Sequence, residues 1–133
     1  MILEYELNKK HFETFKKETL YWVEKLSMRN YEWNFCFEEL EYARACVCID
    51  VEGRLATMTL SKTWDVEPKS KILRRSAFHE VFEVLLGSLQ VTALTSIGRD
   101  DLYNAELHNV IRRMENTQFV DDYNRRFKRK KSK

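Results

Sequence analysis

Residues 74–87 read RRSAFHEVFEVLLG, and the fold is expected to form around this stretch. Its apolar residues recur at spacings of three and four, which gathers them on one face of a helix. The members of this apolar face are Phe78, Phe82, Leu85, Leu86 and Leu89. The pattern predicts a helix from about Ser70 to Leu89, with Gly87 near its end, where a left-handed residue is tolerated.

The polar residues of the same helix form a candidate metal site. His79 and Glu83 are four residues apart, so they lie one above the other. An imidazole and a carboxylate in this relation can chelate one metal ion, and Glu80 beside them can act as a base toward water. This is the H-E-x-x-H zinc helix with Glu in place of the second His. The same residues are also typical of the wet face of an ordinary amphipathic helix.

The surrounding elements predict an α+β fold. Asn8 can cap a helix that runs to about Met28, and alternating residues predict strands over 31–38, 42–51 and 54–61. The last two strands form a hairpin through the Glu52-Gly53 turn, where Gly53 is free to take a positive φ. The predicted order is an N-terminal helix, a three-stranded antiparallel sheet, the zinc-motif helix and a following helix.

The following helix, about 101–116, is the expected source of a third ligand. Its apolar residues define a buried arc, and Glu106 falls at the edge of that arc. A carboxylate pressed toward the core needs a cation, which could be a metal or Arg113. His108 falls outside the arc with Arg112 and Glu115, and it stays open as an alternative to Glu106.

The overall composition indicates one domain. The chain has 133 residues, and no apolar run in it is long enough to cross a bilayer. The acidic, alternating N-terminus is not a signal peptide, so a cytoplasmic location is expected. The three cysteines, Cys36, Cys46 and Cys48, are interpreted as reduced small apolar residues in preference to zinc ligands.

The end of the chain is strongly basic. Seven of the 23 Lys and Arg residues stand in the last ten positions, and all 21 acidic residues precede them. We predict a single domain over 1–120 and a disordered tail over 121–133. Such a tail can be a solvated end, or it can contact nucleic-acid phosphates. The residues available for that contact are Arg125, Arg126, Lys128, Arg129, Lys130 and Lys131.

The order of these elements resembles a minimal zincin metallopeptidase. The nearest kinds are ImmA/IrrE-type and SprT-like domains and the small metallopeptidases of bacteriophages, and the resemblance covers Tyr31 to Glu115. Three stretches carry it: 59–64 (TLSKTW), 77–87 (AFHEVFEVLLG) and 105–115 (AELHNVIRRME). A phage origin would place the protein in the cytoplasm of the host.

The resemblance implies a role for each site residue. His79 would be the first zinc ligand, Glu80 the general base, Glu83 the replacement for the second His, and Glu106 the third ligand. The substrate would be a protein or peptide lying extended along the strand 54–61. Zn²⁺ is the implied cofactor. Two carboxylate ligands reduce its Lewis acidity, and they also suit Mn²⁺.

Three functional hypotheses follow from the sequence. The first is a metal-dependent hydrolase, specifically a zinc peptidase. The second is a catalytically inactive zincin-like module that binds a protein, and the third is a small nucleic-acid-associated protein that acts through its basic tail. No Walker A, G-x-G-x-x-G or G-x-S-x-G motif is present to indicate other chemistry.

Overall fold

The computed structural model describes residues 4–87 and 100–128, except for the side chains of 100–106. It confirms an α+β fold. In chain order the elements are β1 Tyr5–Glu6, α1 Lys9–Lys25, β2 Glu32–Glu38, β3 Ala45–Asp50, β4 Leu55–Ser61, β5 Thr63–Trp64, α2 Ser70–Leu85, α3 Asp100–Met114, a π-helical segment Glu115–Phe119, and α4 Val120–Phe127. Across the described ranges, no helix combines the length and apolarity needed to span a membrane.

The three-stranded sheet has the order β2-β4-β3 and mixed direction. The predicted hairpin is confirmed, because β3 and β4 pair antiparallel with Val47 opposite Met58. The prediction of a purely antiparallel sheet is wrong, because β2 pairs parallel with β4, with Phe35 opposite Met58. Side chains alternate in the same way in parallel and antiparallel strands, so the sequence pattern leaves the direction of β2 relative to its neighbour undecided.

One face of this sheet forms the core with α1 and α2. The register aligns the apolar residues of all three strands, and Ala56, Met58 and Leu60 at the centre are fully buried. From α1, the ring of Phe12 stacks on that of Phe37 with centroids 5.0 Å apart. The three cysteines lie on the opposite face, where Cys36 and Cys46 are half-buried and Cys48 is exposed.

The β3–β4 turn uses its glycine differently from the prediction. The left-handed residue of the turn is Arg54, with φ of 56°, and not Gly53. Gly53 instead leaves room for the Asp50 carboxylate, which accepts a hydrogen bond from the Gly53 N–H at 2.9 Å. A Cβ on Gly53 would stand 2.5 Å from Asp50 Oδ2, so this position favours the residue without a side chain.

The helix α4 corrects the predicted domain boundary. Residues 120–127, most of them assigned to a disordered tail, form a helix that is bound to the rest of the domain. Its Asp122 and Arg126 belong to what we call the C-terminal ion cluster, which is completed by Glu18, Lys25 and Arg74. The domain therefore includes α4, and residues 129–133 lie outside the described part of the chain.

The C-terminal ion cluster joins three helices. The Glu18 side chain is fully buried in α1 and accepts hydrogen bonds from Trp22 Nε1 at 2.7 Å, Arg74 at 2.8 Å and Arg126 at 2.7 Å. Asp122 accepts from Lys25 at 2.6 Å and from Arg126 at 2.5 Å. Arg126, one of the residues considered for nucleic-acid contact, is 15% exposed and is engaged within the fold.

Candidate metal centre

The residues of the candidate site on helix α2 lie on a partly exposed side of that helix. Ala77, Phe78 and Val81 are fully buried in the core and fix the position of the helix. His79 and Glu83 project from the opposite side of the helix and remain partly accessible, with 27% and 22% of their side chains exposed. This orientation is the one that the spacing in the sequence predicts.

Three side chains converge on this side of α2. His79, Glu83 and His108 each offer one ligand atom, and these atoms all lie within 4.8 Å of one another. Glu83 Oε1 lies 3.5 Å from His79 Nε2 and 3.6 Å from His108 Nε2. The two imidazole rings are nearly parallel, with centroids 5.7 Å apart. We refer to His79, Glu83 and His108 as the triad.

A fourth residue, Glu115, orients His79. Its Oε1 lies 2.6 Å from His79 Nδ1, and its Oε2 accepts a bond from Arg75 Nε at 3.3 Å. An ionised carboxylate can only accept, so the proton of a neutral His79 belongs on Nδ1. The lone pair of Nε2 then points to the side where Glu83 and His108 lie. Metal-ligating histidines are commonly held in this way by a carboxylate.

The protonation of His79 responds to these acids. Burial alone would lower its pKa, but hydrogen bonds with Glu115 and Glu83 outweigh burial and raise the pKa of His79 to about 10. In its protonated form the His79 ring joins two carboxylates, with Nδ1–H facing Glu115 and Nε2–H facing Glu83, and the pKa values of both acids are lowered by His79 despite burial. A metal ion at the triad would replace the Nε2 proton, because a ligating His must offer a free lone pair.

Glu80 lies deeper than the triad. It is 7% exposed, and its Oε2 is buried with no hydrogen-bond partner in the described part of the chain. Burial, reinforced by the negative charge of Glu83, raises the pKa of Glu80 well above its ordinary value. A buried carboxyl oxygen without a partner is costly, so its presence calls for an explanation beyond stability.

The charges of the metal-free site are matched by protein groups. The carboxylates of Glu83 and Glu115 face a protonated His79, and Arg75 also contacts Glu115. Burial favours the neutral form of Glu80, whose pKa is raised. A divalent cation would take the place of the His79 proton, and imidazole and carboxylate groups are the donor types that such an ion uses.

A cavity of about 510 Å³ opens beside the site. The residues that line this cavity include His79, Glu80 and Glu115, together with three arginines. The size is in the range of small-molecule and side-chain pockets. The site therefore has room for a ligand next to the candidate base, Glu80.

The sequence-predicted site residues are brought together in part. His79, Glu80 and Glu83 are adjacent as expected, and the alternative third ligand, His108, reaches them. Glu106 lies on α3, but its side chain is outside the described residues. Glu115 was not predicted, and the only sequence signal for it is its four-residue spacing from Ile111 and Phe119, both fully buried.

The chain was also compared with known proteins. No protein-family model, curated protein or solved structure matches it. The resemblance to zincins consequently stays a prediction from the motif. Function is therefore inferred from the geometry of His79, Glu80, Glu83, His108 and Glu115.

Proposed function

We propose that the protein is a metal-dependent hydrolase, specifically a zinc peptidase. One observation carries this proposal: the donor atoms of His79, Glu83 and His108 converge within 4.8 Å. The support of His79 by Glu115 and the position of the buried Glu80 next to His79 agree with it.

The donor set fits zinc better than the set expected from sequence. His79, Glu106 and Glu83 would supply two anionic ligands, whereas His79, Glu83 and His108 supply one. Two His and one Glu are a ligand set of catalytic zinc sites that keep a fourth position open for water or substrate. With fewer negative ligands, a Zn²⁺ ion retains more of its Lewis acidity.

Glu80 is the proposed general base. When bound, Zn²⁺ supplies the Lewis acid that activates water and polarises the scissile carbonyl. Glu80 accepts the proton of the attacking water and passes it to the leaving amine. Glu80 must be ionised to do so, and the positive charge of a metal ion bound at the neighbouring triad would favour the ionised form of Glu80. Its position in the wall of the cavity gives it access to a substrate.

The sheet offers an edge for an extended substrate, but not the edge that was predicted. The strand 54–61 was expected to bind the peptide, whereas β4 is the central strand and both of its sides are paired. β3 is an outer strand of the same sheet, and its Ala45 lines the cavity together with His79. We propose that a peptide pairs with β3 by strand addition.

Cleavage in water enriched in heavy oxygen tests the proposed function. The metal-loaded protein is incubated with an unfolded protein, and the products are analysed by mass spectrometry. Hydrolysis places one heavy oxygen in each new terminal carboxylate. Wild type should generate labelled termini, and Glu80→Gln should bind metal equally but generate none.

A matched control removes a carboxylate away from the site. Glu67 is exposed and pairs loosely with Lys69 at 3.9 Å, so Glu67→Gln should cleave like the wild type. Equal cleavage by Glu80→Gln would overturn the assignment of the base. Metal binding without cleavage of any tested substrate would instead favour the inactive zincin-like binding module.

A further inference from the structure

The cavity beside the triad contains an unusual number of arginines. Arg44, Arg75 and Arg112 come from three different parts of the chain and all line it. The remaining lining combines the apolar residues Ala45, Val66 and Ile72 with polar and acidic ones, among them Glu80 and Glu115. The arginines are accessible to a ligand, since the side chains of Arg44 and Arg75 are 42% and 43% exposed.

Two of these arginines are already held in place by acids. Arg44 donates to Asp65 through Nε at 2.7 Å and Nη2 at 3.1 Å. Arg75 donates to Glu115 at 3.3 Å and to Asn116 Oδ1 at 2.9 Å. Such arginines have lost most of their rotamer freedom before a ligand arrives, which lowers the entropic cost of binding.

The third arginine is not committed in this way. Arg112 is exposed and lies one helical turn after His108 on α3, and its guanidinium contacts no acid among residues 4–87 and 107–128. Glu115 is matched by both His79 and Arg75. Among the described residues that line the cavity, Arg44 and Arg75 are thus paired with acids, and Arg112 supplies a guanidinium group that can bind a further anion.

We propose that this cavity binds a carboxylate of the substrate, with Arg112 as its principal partner. The inference rests on the proposed function, since it names the class of peptide that the site accepts. The planar guanidinium group suits a carboxylate because two parallel hydrogen bonds can form. The carboxylate can be an Asp or Glu side chain or the carboxyl terminus of a peptide, and both sources offer the same chemistry.

Binding of short peptides to the full chain tests this inference without requiring cleavage. Three alanine peptides of equal length are compared by titration calorimetry. Two are blocked at both ends and carry a central glutamate or a central glutamine. The third has no central acid and a free terminal carboxylate. The glutamate or the free-carboxylate peptide should bind about tenfold more tightly than the glutamine peptide. Which of the two does so identifies the source of the carboxylate.

The matched variants are Arg112→Gln and Arg113→Gln. Both residues are exposed neighbours on α3, but only Arg112 lines the cavity. Arg112→Gln should remove the tenfold preference, and Arg113→Gln should retain it. Equal binding of all three peptides, or an equal loss in both variants, would overturn the inference.

Chelated protein separates this inference from the proposed function. The preference for a carboxylate should persist after metal removal, because the arginines make it. If the preference exists only in metal-loaded protein, the carboxylate binds the ion itself, and the arginine pocket is refuted. If no metal binds but the preference remains, the proposed function fails while the carboxylate pocket stands.

Discussion

The molecule buries carboxylates in two regions, and it treats them in opposite ways. In the C-terminal ion cluster, Glu18 and Asp122 receive hydrogen bonds from Lys25, Arg74 and Arg126. In the candidate metal centre, Glu80, Glu83 and Glu115 share one arginine and two histidines. The first region satisfies its buried carboxylates with protein groups, whereas the second leaves one buried carboxyl oxygen without a partner among the described residues.

The hydrogen bonds show the same difference atom by atom. Both oxygens of Glu18 accept from cations, and Trp22 Nε1 adds a further bond. In contrast, Glu80 Oε2 has no partner in the described ranges. A saturated buried cluster indicates a structural role, and an unsaturated one indicates a role that a ligand completes.

Truncation within the ion cluster should strongly destabilise the protein. Glu18→Ala leaves Arg74 and Arg126 without their buried partner, so the free energy of unfolding should fall by about 3–5 kcal/mol. Urea unfolding followed by circular dichroism measures this change. The control is Glu13→Ala on the same helix, whose carboxylate is 46% exposed and pairs with Lys16. Similar small losses in both variants would show that the cluster is not structural.

Metal binding should stabilise the protein through the second region. Zn²⁺ at about 100 times its dissociation constant should raise the free energy of unfolding by about 2.7 kcal/mol, because the folded state alone holds the triad together. Unfolding with and without Zn²⁺ measures the increase, which His108→Ala should abolish. His11→Ala removes the remaining histidine of the chain, which lies at the start of α1, and should keep the increase.

Acid should weaken the ion cluster through Asp122. Its burial opposes ionisation, but bonds from Lys25, Arg125 and Tyr21 lower the pKa of Asp122 to about 2. A depressed pKa gives stability that is fully present above the unfolded value of about 3.8 and is lost toward pH 2. The difference in stability between wild type and Asp122→Asn should therefore shrink by about 1–2 kcal/mol over that range. The exposed neighbour variant Asp121→Asn should show no such trend.

Removal of the unsatisfied acid should have the smallest effect, and it should be stabilising. Glu80→Met replaces a buried carboxyl with an apolar side chain of similar length, so the metal-free protein should gain about 1 kcal/mol. Urea unfolding of chelated protein measures the gain. A loss of stability in this variant would place Glu80 with Glu18 as a structural acid and would remove the contrast between the regions.

Sequence periodicity predicted the elements better than their arrangement. The positions of α1, α2 and the three strands followed from spacings of three, four and two. The parallel pairing of β2 with β4 did not, because alternation shows which residues of a strand are buried but not the direction of its neighbour. Asp122 and Arg126 appeared to belong to a basic tail because their partners in α1 are distant in sequence: Lys25 is 97 positions from Asp122, and Glu18 is 108 positions from Arg126.

The candidate site was also predictable only in part, because the buried side of the last helix differs from the expected one. A constant turn of 100° per residue put Glu115 on the outer side of the last helix. The apolar residue Val110 of this helix is instead 41% exposed, and the buried side chains are Leu107, Ile111 and Glu115, which follow one another at four-residue spacing. His79, Glu80 and Glu83 were predictable because α2 is regular throughout. The sequence could not decide between His108 and Glu106 as third ligand, because the answer depends on how α3 packs against α2.

The most direct test of the central claim is the metal content of the purified protein. Untagged wild type, prepared without chelators and incubated with Zn²⁺, is analysed by inductively coupled plasma mass spectrometry beside His79→Ala, His108→Ala, Glu106→Gln and His11→Ala. About one equivalent is expected in wild type, Glu106→Gln and His11→Ala, and none in the two triad variants. Full metal content in His108→Ala with loss in Glu106→Gln, or no metal in the wild type, would exclude the triad as a metal site.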